Sequence, residues 1–372
     1  MSARQVLIPR LLHVGTGCLR DVGPLLADHD FDLRCVLVGS GRGASRMLAE
    51  AVVEGLRRAD VRVVVVSQLA GRLDQAASIA STIIEEGVTA AVAVGGGRVL
   101  DTVKLAAART DVDFVSVPTA VSNDGISSPV ASLVGKDGAR ATHSARMPCG
   151  IVVDVAAIGS APPATIRAGV GDLVSNLTAC LDWRLADREG REQYDAYAAM
   201  IAESAARPAL ELDEVTSSAS HEVLAQGLLL SGLAMAASGT SRPCSGAEHL
   251  ISHALDARLG RGAALHGEQV ALGTLVAAAA HNSALLPALQ SLYLRLGLPL
   301  RPDDVGLTTA QLVDAVQAGP ALRPDRWTIL SDERFRHRME AEALVAGAMG
   351  YRPVAVPSTR SITRSVAAPS SR

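Results

Sequence analysis

Residues 90–104 read AAVAVGGGRVLDTVK, and this stretch decides the fold. Its first five residues, 90–94, are small or β-branched, which is typical of a buried strand. The spacing of the apolar residues in Val99–Arg109 predicts a helix. Three glycines, 95–97, join the two elements. Such a junction lets backbone N–H groups and the positive end of a helix face a phosphate. The triplet is not the GxGxxG fingerprint, so a tight turn without a ligand remains equally open from these residues.

The same alternation extends on both sides of this stretch. Apolar strands separated by amphipathic helices indicate a parallel sheet that is covered on both faces. The predicted strands are 34–39, 61–67, 90–94, 114–117 and 151–155, and the predicted helices are 43–58, 73–86 and 99–109. A β-hairpin is expected between 130–134 and 139–142, because Asp137-Gly138 suits a turn with positive φ.

The second half of the chain has a different pattern. From Ala164 onward no stretch favours a strand, and Pro353 begins a tail rich in Ser, Pro and Arg, which is typical of disorder. Ala- and Leu-rich patterns predict helices at 169–186, 191–210, 217–237, 246–259 and 267–281. We therefore expect an α/β fold with a Rossmann-like domain over 1–161, an all-helical domain over 162–352 and a disordered tail over 353–372.

Composition excludes several classes of function. The chain has 372 residues, of which 48% are hydrophobic and 20% charged, as in globular proteins. A formal net charge of −3 and an aromatic content of 2% offer neither a basic footprint nor a stacking platform for nucleic acid. The five cysteines lack CxxC spacing, which favours reduced thiols in the cytoplasm over disulfides or a Cys-based zinc site. No apolar run approaches the roughly 20 residues of a membrane span, and none resembles a signal peptide.

A polar loop follows the strand predicted at 114–117. Residues 118–129 read PTAVSNDGISSP, which combines several hydroxyls with one carboxylate, Asp124. At the carboxyl end of a parallel strand, such a loop can bind a ribose, an amide or a polar substrate. Taken alone, the loop favours an ordinary polar turn.

A third candidate site lies in the helical half. His249 and His253 are four residues apart, which places them on one helix face. His266 follows in ALHGEQ, and Asp172 precedes them in GVGDLVSN. Two imidazoles and a carboxylate with an open position are typical of a catalytic Zn²⁺ or Fe²⁺ site. The remaining histidines of the chain have no such mutual spacing and are expected to be ordinary core or surface residues.

Taken together and in this order, the three sites resemble a known family. The chain resembles the sn-glycerol-1-phosphate dehydrogenases, a branch of the superfamily of iron-containing alcohol dehydrogenases, glycerol dehydrogenase and dehydroquinate synthase. The resemblance covers roughly residues 10–281 and rests on GGGRVLDTVK, PTAVSNDGISSPVAS, GDLVSN, SRPCSGAEHLISHALD and LHGEQ. It implies the two-domain fold of dehydroquinate synthase and an enzyme that uses a nicotinamide cofactor.

The resemblance also implies roles for individual residues. The cofactor would be bound by Gly95, Gly96, Gly97, Arg98, Val99, Thr119, Ser122 and Ser128. The metal ligands would be Asp172, His249 and His266, and the residues facing substrate would be Asp124, Asp172 and His253. The implied cofactors are NAD or NADP and one divalent metal, Zn²⁺ before Fe²⁺ or Ni²⁺. The implied partners are a small phosphorylated three-carbon substrate and further copies of the chain in a homo-oligomer of two or more.

The implied reaction is the NAD(P)H-dependent interconversion of dihydroxyacetone phosphate and sn-glycerol 1-phosphate, with a place in phospholipid metabolism. A sugar-phosphate cyclase, a lyase like dehydroquinate synthase, is also open. Such cyclases resemble one another in a Lys-rich loop around the departing phosphate, and the hairpin here contains only Lys136. The same motifs would also fit a dehydrogenase of another small polyol or of a phosphorylated or phosphonate carbonyl compound, or a relative that binds without catalysis.

Two regions depart from the family pattern. After the first predicted strand the chain reads Gly39-Ser40-Gly41-Arg42, with no acidic residue for a ribose 2′-hydroxyl. Arg42 is a candidate partner for a 2′-phosphate, so the sequence leaves both NAD and NADP open. The chain after about Pro299 matches the family poorly, and Arg323–Arg338 is unusually charged.

Overall fold

A parallel sheet forms the first half of the protein. The computed structural model describes residue 6 and residues 8–260 and 264–350. Its strands are β1 (Leu11–Gly15), β2 (Cys35–Ser40), β3 (Arg62–Val66), β4 (Ala90–Gly95), β5 (Asp113–Pro118), β6 (Val130–Val134), β7 (Arg140–Ser144) and β8 (Gly150–Asp154). Six of them form one parallel sheet in the order β1-β8-β5-β4-β2-β3, and β6 pairs with β7 as the antiparallel hairpin.

Helices flank the sheet and make up most of the remaining described residues. They are α1 (Val22–Ala27), α2 (Ala44–Arg58), α3 (Leu73–Glu86), α4 (Gly97–Thr110), α5 (Val155–Gly159), α6 (Pro163–Val174), α7 (Asn176–Arg188), α8 (Ala196–Ala206), α9 (Ser218–Ser238), α10 (Ala247–Leu259), α11 (His266–Ala280), α12 (Leu286–Leu296), α13 (Thr309–Leu322) and α14 (Arg338–Met349). The predicted α/β class is confirmed. The domain boundary at residues 161 and 162 stays a prediction, and the tail over 353–372 lies outside the described residues.

Three local predictions were wrong. Strand β1 was missed because it is a short edge strand that pairs only with β8 and is mostly half-buried. The single helix expected over 169–186 is two helices, α6 and α7. At their junction the Ser175 hydroxyl donates to the Asp172 carbonyl, 2.6 Å away. This side-chain hydrogen bond competes with the backbone hydrogen bonds of a continuous helix. The helix expected from residue 191 begins at Ala196, because the Asp195 carboxylate caps it.

The sheet and the helices share one apolar core. The largest group of mutually packed buried side chains runs from Leu37 on β2 through Ile166 on α6 to Val345 on α14. Two helices approach the loop after β5 through glycines: a Cβ on Gly169 would lie 1.8 Å from the Val121 carbonyl oxygen, and one on Gly232 would meet Ser127. The polar loop is therefore held between the sheet and the helical half.

Two expectations from composition can be compared with the structure. All five cysteines are free in the structure, as expected from their spacing. None of the helices in the described ranges combines the length and apolar character needed to cross a bilayer.

Candidate metal and cofactor site

Three side chains from three different helices converge in the helical half. Asp172 lies on α6, His249 on α10 and His266 on α11. Asp172 Oδ1 lies 3.7 Å from His249 Nε2 and 3.6 Å from His266 Nε2. These separations are close to the roughly 3.4 Å between ligands that each lie about 2.1 Å from a tetrahedral ion. The three donors therefore fit a single divalent metal.

Glycines make this convergence possible. A Cβ on Gly171 would lie 2.3 Å from the Gly267 carbonyl oxygen, and a Cβ on Gly267 would lie 1.9 Å from the Ala168 carbonyl oxygen. Helices α6 and α11 can therefore touch backbone to backbone at this level. The close approach brings Asp172 beside His266, which is the first residue of α11.

The second ring nitrogen of each imidazole already has a partner. His249 Nδ1 lies 3.1 Å from Glu248 Oε1, and the Thr178 hydroxyl donates to the second oxygen of this buried carboxylate. His266 Nδ1 lies 2.9 Å from Ser252 Oγ, whose own proton is donated to Gln269. Both Nδ1 atoms are therefore assigned the proton. The Nε2 lone pairs are left facing Asp172, as in metal sites whose histidines are oriented by outer hydrogen bonds.

The charges at the site favour a cation. Burial opposes a charge on His249, but the neighbouring carboxylates of Asp172 and Glu248 outweigh it and raise its pKa to about 10. Burial, followed by the charge of Asp172, raises the pKa of Asp124 to about 7. Burial lowers the pKa of His266. A divalent ion held by the triad would balance the charge of these buried carboxylates.

His253 lies beside the triad and outside it. It follows His249 by one helical turn, and its ring centre lies 6.5 Å from that of His249 and 6.3 Å from that of His266. Burial and the nearby imidazoles lower the pKa of His253 to about 3. Its ring is therefore neutral at neutral pH and offers a hydrogen bond rather than a charge.

The loop after β5 is attached to the triad and to α4. The Asp124 backbone N–H donates to Asp172 Oδ2 at 3.0 Å. The buried Lys104 ammonium donates to Asp101 Oδ1 at 3.0 Å, to the Gly125 carbonyl at 2.9 Å and to the Val130 carbonyl at 2.8 Å. Lys104 lies on α4 and thus holds both ends of segment 125–130 against that helix.

The structure gives the first two of the three glycines different roles. A Cβ on Gly95 would lie 2.7 Å from Val99, so this glycine is required by packing. A Cβ on Gly96 would meet nothing within 4 Å, and its φ of −81° is allowed for any residue. Gly96 is the N-cap of α4, whose first backbone N–H groups can bind an anion. This cradle fits a pyrophosphate.

The remaining predicted cofactor residues lie around this cradle. Arg98 is exposed at the start of α4, and the Thr119 N–H donates to the Gly95 carbonyl at 3.0 Å. Ser122 is half-buried in the same loop. Ser128 is buried and its hydroxyl is directed to the Val130 carbonyl, 3.4 Å away. The side chains of Ser128 and of the buried Val99 are thus turned toward the protein.

Sequence reasoning missed the residues that support the triad. The buried Asp182 on α7 accepts from the Ala247 N–H at 2.7 Å, from the Ile329 N–H at 2.7 Å and from His281 at 2.8 Å. Ile329 lies in the region that matched the family poorly, and His281 had been expected to be ordinary. Nothing local in the sequence marks such a set, because Asp182 and Ile329 are 147 residues apart.

Known proteins share both sequence and fold with this chain. Residues 13–162 match the family model for iron-containing alcohol dehydrogenases. The glycerol-1-phosphate dehydrogenase [NAD(P)+] of Cenarchaeum symbiosum is 37% identical over 93% of this chain and 98% of its own length. That of Methanosarcina acetivorans is 34% identical over 89% and 93%. The crystal structure of glycerol dehydrogenase from Schizosaccharomyces pombe shares the fold, with a TM-score of 0.75 at 20% identity over 94% of this chain and 91% of that one.

Proposed function

Because this chain belongs to the glycerol-1-phosphate dehydrogenase family, we propose that it interconverts dihydroxyacetone phosphate and sn-glycerol 1-phosphate with NAD(P)H and a divalent metal. One observation carries the proposal. The triad of Asp172, His249 and His266 is joined by the Asp124 amide to the loop that begins beside the Gly96 cradle. Metal, substrate and nicotinamide sites would therefore be contiguous. We place the enzyme in the cytoplasm as a homo-oligomer, with a role in phospholipid metabolism.

Asp172, His249 and His266 would hold the metal. A divalent ion there would supply Lewis acidity toward the carbonyl or hydroxyl oxygen of the substrate. The donor set of two imidazoles and one carboxylate favours Zn²⁺, and Fe²⁺ and Ni²⁺ are the next candidates.

The protein itself binds and orients the reactants. The Gly96 cradle and α4 would hold the pyrophosphate, and Thr119 and Ser122 would place the nicotinamide, which supplies the hydride. The Asp124 amide donates to Asp172 and would fix its orientation. The Asp124 carboxyl, whose charge interacts with that of Asp172, would accept a hydrogen bond from a substrate hydroxyl. His253, a neutral imidazole next to the triad, would bind the substrate and exchange a proton with its oxygen.

The two lysines of the chain disfavour a cyclase. A departing phosphate needs positive charges around it. Lys104 is buried and donates to three protein acceptors, and Lys136 is exposed in the hairpin turn. Neither supplies the lysine cluster of a cyclase.

The proposal is tested with purified protein, dihydroxyacetone phosphate and NADH or NADPH, with Zn²⁺, Fe²⁺ or Ni²⁺ added separately. We expect stoichiometric loss of cofactor absorbance, loss of turnover on chelation, and the sn-1-phosphate enantiomer as product. Steady absorbance, together with release of inorganic phosphate from a heptulose phosphate, would establish the cyclase instead. Faster turnover of glycerol or a phosphonate carbonyl compound would assign a different dehydrogenase substrate.

A further inference from the structure

An irregular turn precedes the helix that carries His249 and His253. It occupies residues 241–246, and α10 begins directly after it. Its last residue, Gly246, is the N-cap of α10 and has no side chain with which to cap the helix. The position of α10, and of both imidazole rings, therefore depends on the contacts that hold this turn.

A buried arginine from the C-terminal part of the chain holds both ends of the turn. Arg326 Nη1 donates to the Ser245 carbonyl at 2.6 Å, and its Nη2 donates to the Ser241 hydroxyl oxygen at 3.0 Å. The planar guanidinium fixes the distance between these two acceptors, which the point charge of a lysine does not. Arg326 lies in the charged region that departs from the family pattern, so this contact gives that region a place in the molecule.

The turn returns the contact through an arginine of its own. The buried Arg242 donates from Nη1 to the Trp327 carbonyl at 2.7 Å, and its Nε pairs with Glu192. The Arg191 guanidinium lies over the Trp327 ring, 4.4 Å from the ring centre. The turn and the segment around Trp327 are thus joined by hydrogen bonds that run in both directions.

Asp182 extends this pairing into the first turn of α10. Its carboxylate accepts from the Ala247 N–H and from the Ile329 N–H. The contacts follow one another along both segments, because 241–245 faces 326–327 and Ala247 is joined to Ile329 through Asp182. Residues 326–329 therefore support the whole stretch from the turn to the start of the helix.

The charge of Arg326 is buried without a carboxylate partner among the described residues. Of the nearby acidic groups, Glu192 pairs with Arg242, and Asp325 pairs with Arg323 at 3.6 Å. Burial, followed by the charges of Arg323 and Arg242, lowers the pKa of Arg326 to about 10, so the guanidinium is protonated at neutral pH. Buried ionic groups of this kind can fix one conformation rather than add stability.

We propose that Arg326 is a positioning residue of the metal site, which fixes the turn 241–246 and so sets the place of His249 relative to Asp172 and His266. The inference rests on the proposed metal triad and is independent of the carbonyl substrate and of the dinucleotide. Ligand distances in metal sites vary by only about 0.2 Å. A small displacement of α10 would therefore weaken metal binding without unfolding the chain.

The test measures metal binding without turnover. Co²⁺ alone is added to the metal-free full chain, because its visible absorption depends on the geometry of its ligands, and its affinity is measured by competition with a chelator. We expect Arg326→Gln to shift the visible bands and to bind Co²⁺ at least about tenfold more weakly. Arg326→Lys should show the same shift, because it retains the charge but loses the fork. Ser241→Ala removes one of the two hydrogen bonds and should give a smaller shift, even if Arg326→Gln fails to fold.

Arg295 provides a matched control for a general loss of stability. On α12 its guanidinium donates to the Leu210 and Leu212 carbonyls, each at 2.7 Å. This bridge has the same chemistry as that of Arg326, but it does not contact the turn 241–246. Arg295→Gln should therefore lower the thermal midpoint and leave the Co²⁺ spectrum and affinity unchanged.

The possible results separate this role from the proposed function. An Arg326→Gln protein with the Co²⁺ spectrum and affinity of the wild type would overturn the proposal, and so would equal changes in Arg295→Gln. An unchanged spectrum with weaker binding of inorganic phosphate would assign Arg326 to the substrate instead. Failure of the wild type to bind Co²⁺ would refute the metal site and this role with it. The expected Co²⁺ response in a protein that leaves dihydroxyacetone phosphate unchanged would refute the proposed reaction and support the positioning role.

Discussion

At the scale of single residues, the outer hydrogen bonds of the triad decide which atoms can bind a metal. Glu248 and Ser252 each hold the Nδ1 side of one imidazole, which leaves Nε2 as the ligand atom. His253 is not one of the three proposed ligands, although it shares a helix face with His249. Metal binding and substrate binding should therefore be separable by mutation.

Substitution of two histidines tests this separation. His266→Ala removes one of three donors, so we expect loss of bound metal, measured by elemental analysis, together with loss of turnover. His253→Ala should retain about one metal per chain, because its ring lies outside the triad of proposed ligands. It should lose turnover, because the ring is proposed to bind the substrate. A His266→Ala protein that kept both its metal and its rate would show that the assignment is wrong.

The glycine triplet gives a second test at this scale. Gly96→Val should fold with an unchanged thermal midpoint, because its Cβ meets nothing within 4 Å, and should bind NADPH at least about tenfold more weakly. Gly95→Val is the matched control for packing, since its side chain would overlap Val99, and it should lower the midpoint. Fluorescence titration and thermal melts distinguish the two effects. Unchanged NADPH affinity in Gly96→Val would reduce the triplet to a turn.

At the scale of elements, helix α4 connects the two proposed ligand sites. Its first turn forms the cradle, and one turn later Asp101 and Lys104 hold the segment that carries Asp124 and Ser132. Asp101 and Lys104 are three residues apart on α4 and form an ion pair. The sequence cannot show that the same ammonium also holds two carbonyls more than twenty residues away.

The two lysines of the chain provide a matched pair of variants. Lys104→Met leaves Asp101 buried without its cation, so the free energy of unfolding should fall by about 3–5 kcal/mol. If the variant folds, KM for dihydroxyacetone phosphate should rise more than that for NADPH, because the loop with Asp124 is released while the cradle remains. Lys136→Met, in the exposed hairpin turn, should change neither value. Equal stability of the two variants in urea titrations would contradict this role of Lys104.

At the scale of the whole molecule, the site draws its residues from both halves of the chain. The sequence predicted the sheet and its helices, because strand–glycine–helix patterns are local. The His-x-x-x-His pattern marked His249 together with His253, which lies outside the triad, and the set of Asp172, His249 and His266 came from the family resemblance. The sequence did not predict the edge strand β1, whose pairing with β8 spans the whole sheet half. Nor did it predict Asp182, which joins α7, the first turn of α10 and the segment at Ile329. Such contacts depend on packing between distant segments, and no short window of sequence contains them.

Removal of the metal should lower the free energy of unfolding of the whole protein. The ligands come from α6, α10 and α11, so the ion binds the folded chain and not the unfolded one. Free metal at about 1,000 times Kd adds about 4 kcal/mol to the free energy of unfolding. We expect chelation to lower the thermal midpoint, and added Zn²⁺ to restore it, in the wild type and in His253→Ala but not in His266→Ala. An unchanged midpoint after complete removal of metal would contradict the three-helix site.

The hydrogen bond from the Asp124 amide to Asp172 Oδ2 has a consequence for how this protein keeps its metal. A dinucleotide that orders the loop after β5 also orders the carboxylate that holds the ion. Such linkage is reciprocal, so the factor by which the metal tightens the dinucleotide is also the factor by which the dinucleotide tightens the metal. Metal retention in the cell would thereby follow the supply of nicotinamide cofactor. Starvation for that cofactor, rather than scarcity of the ion alone, would be the condition under which the proposed site loses its metal.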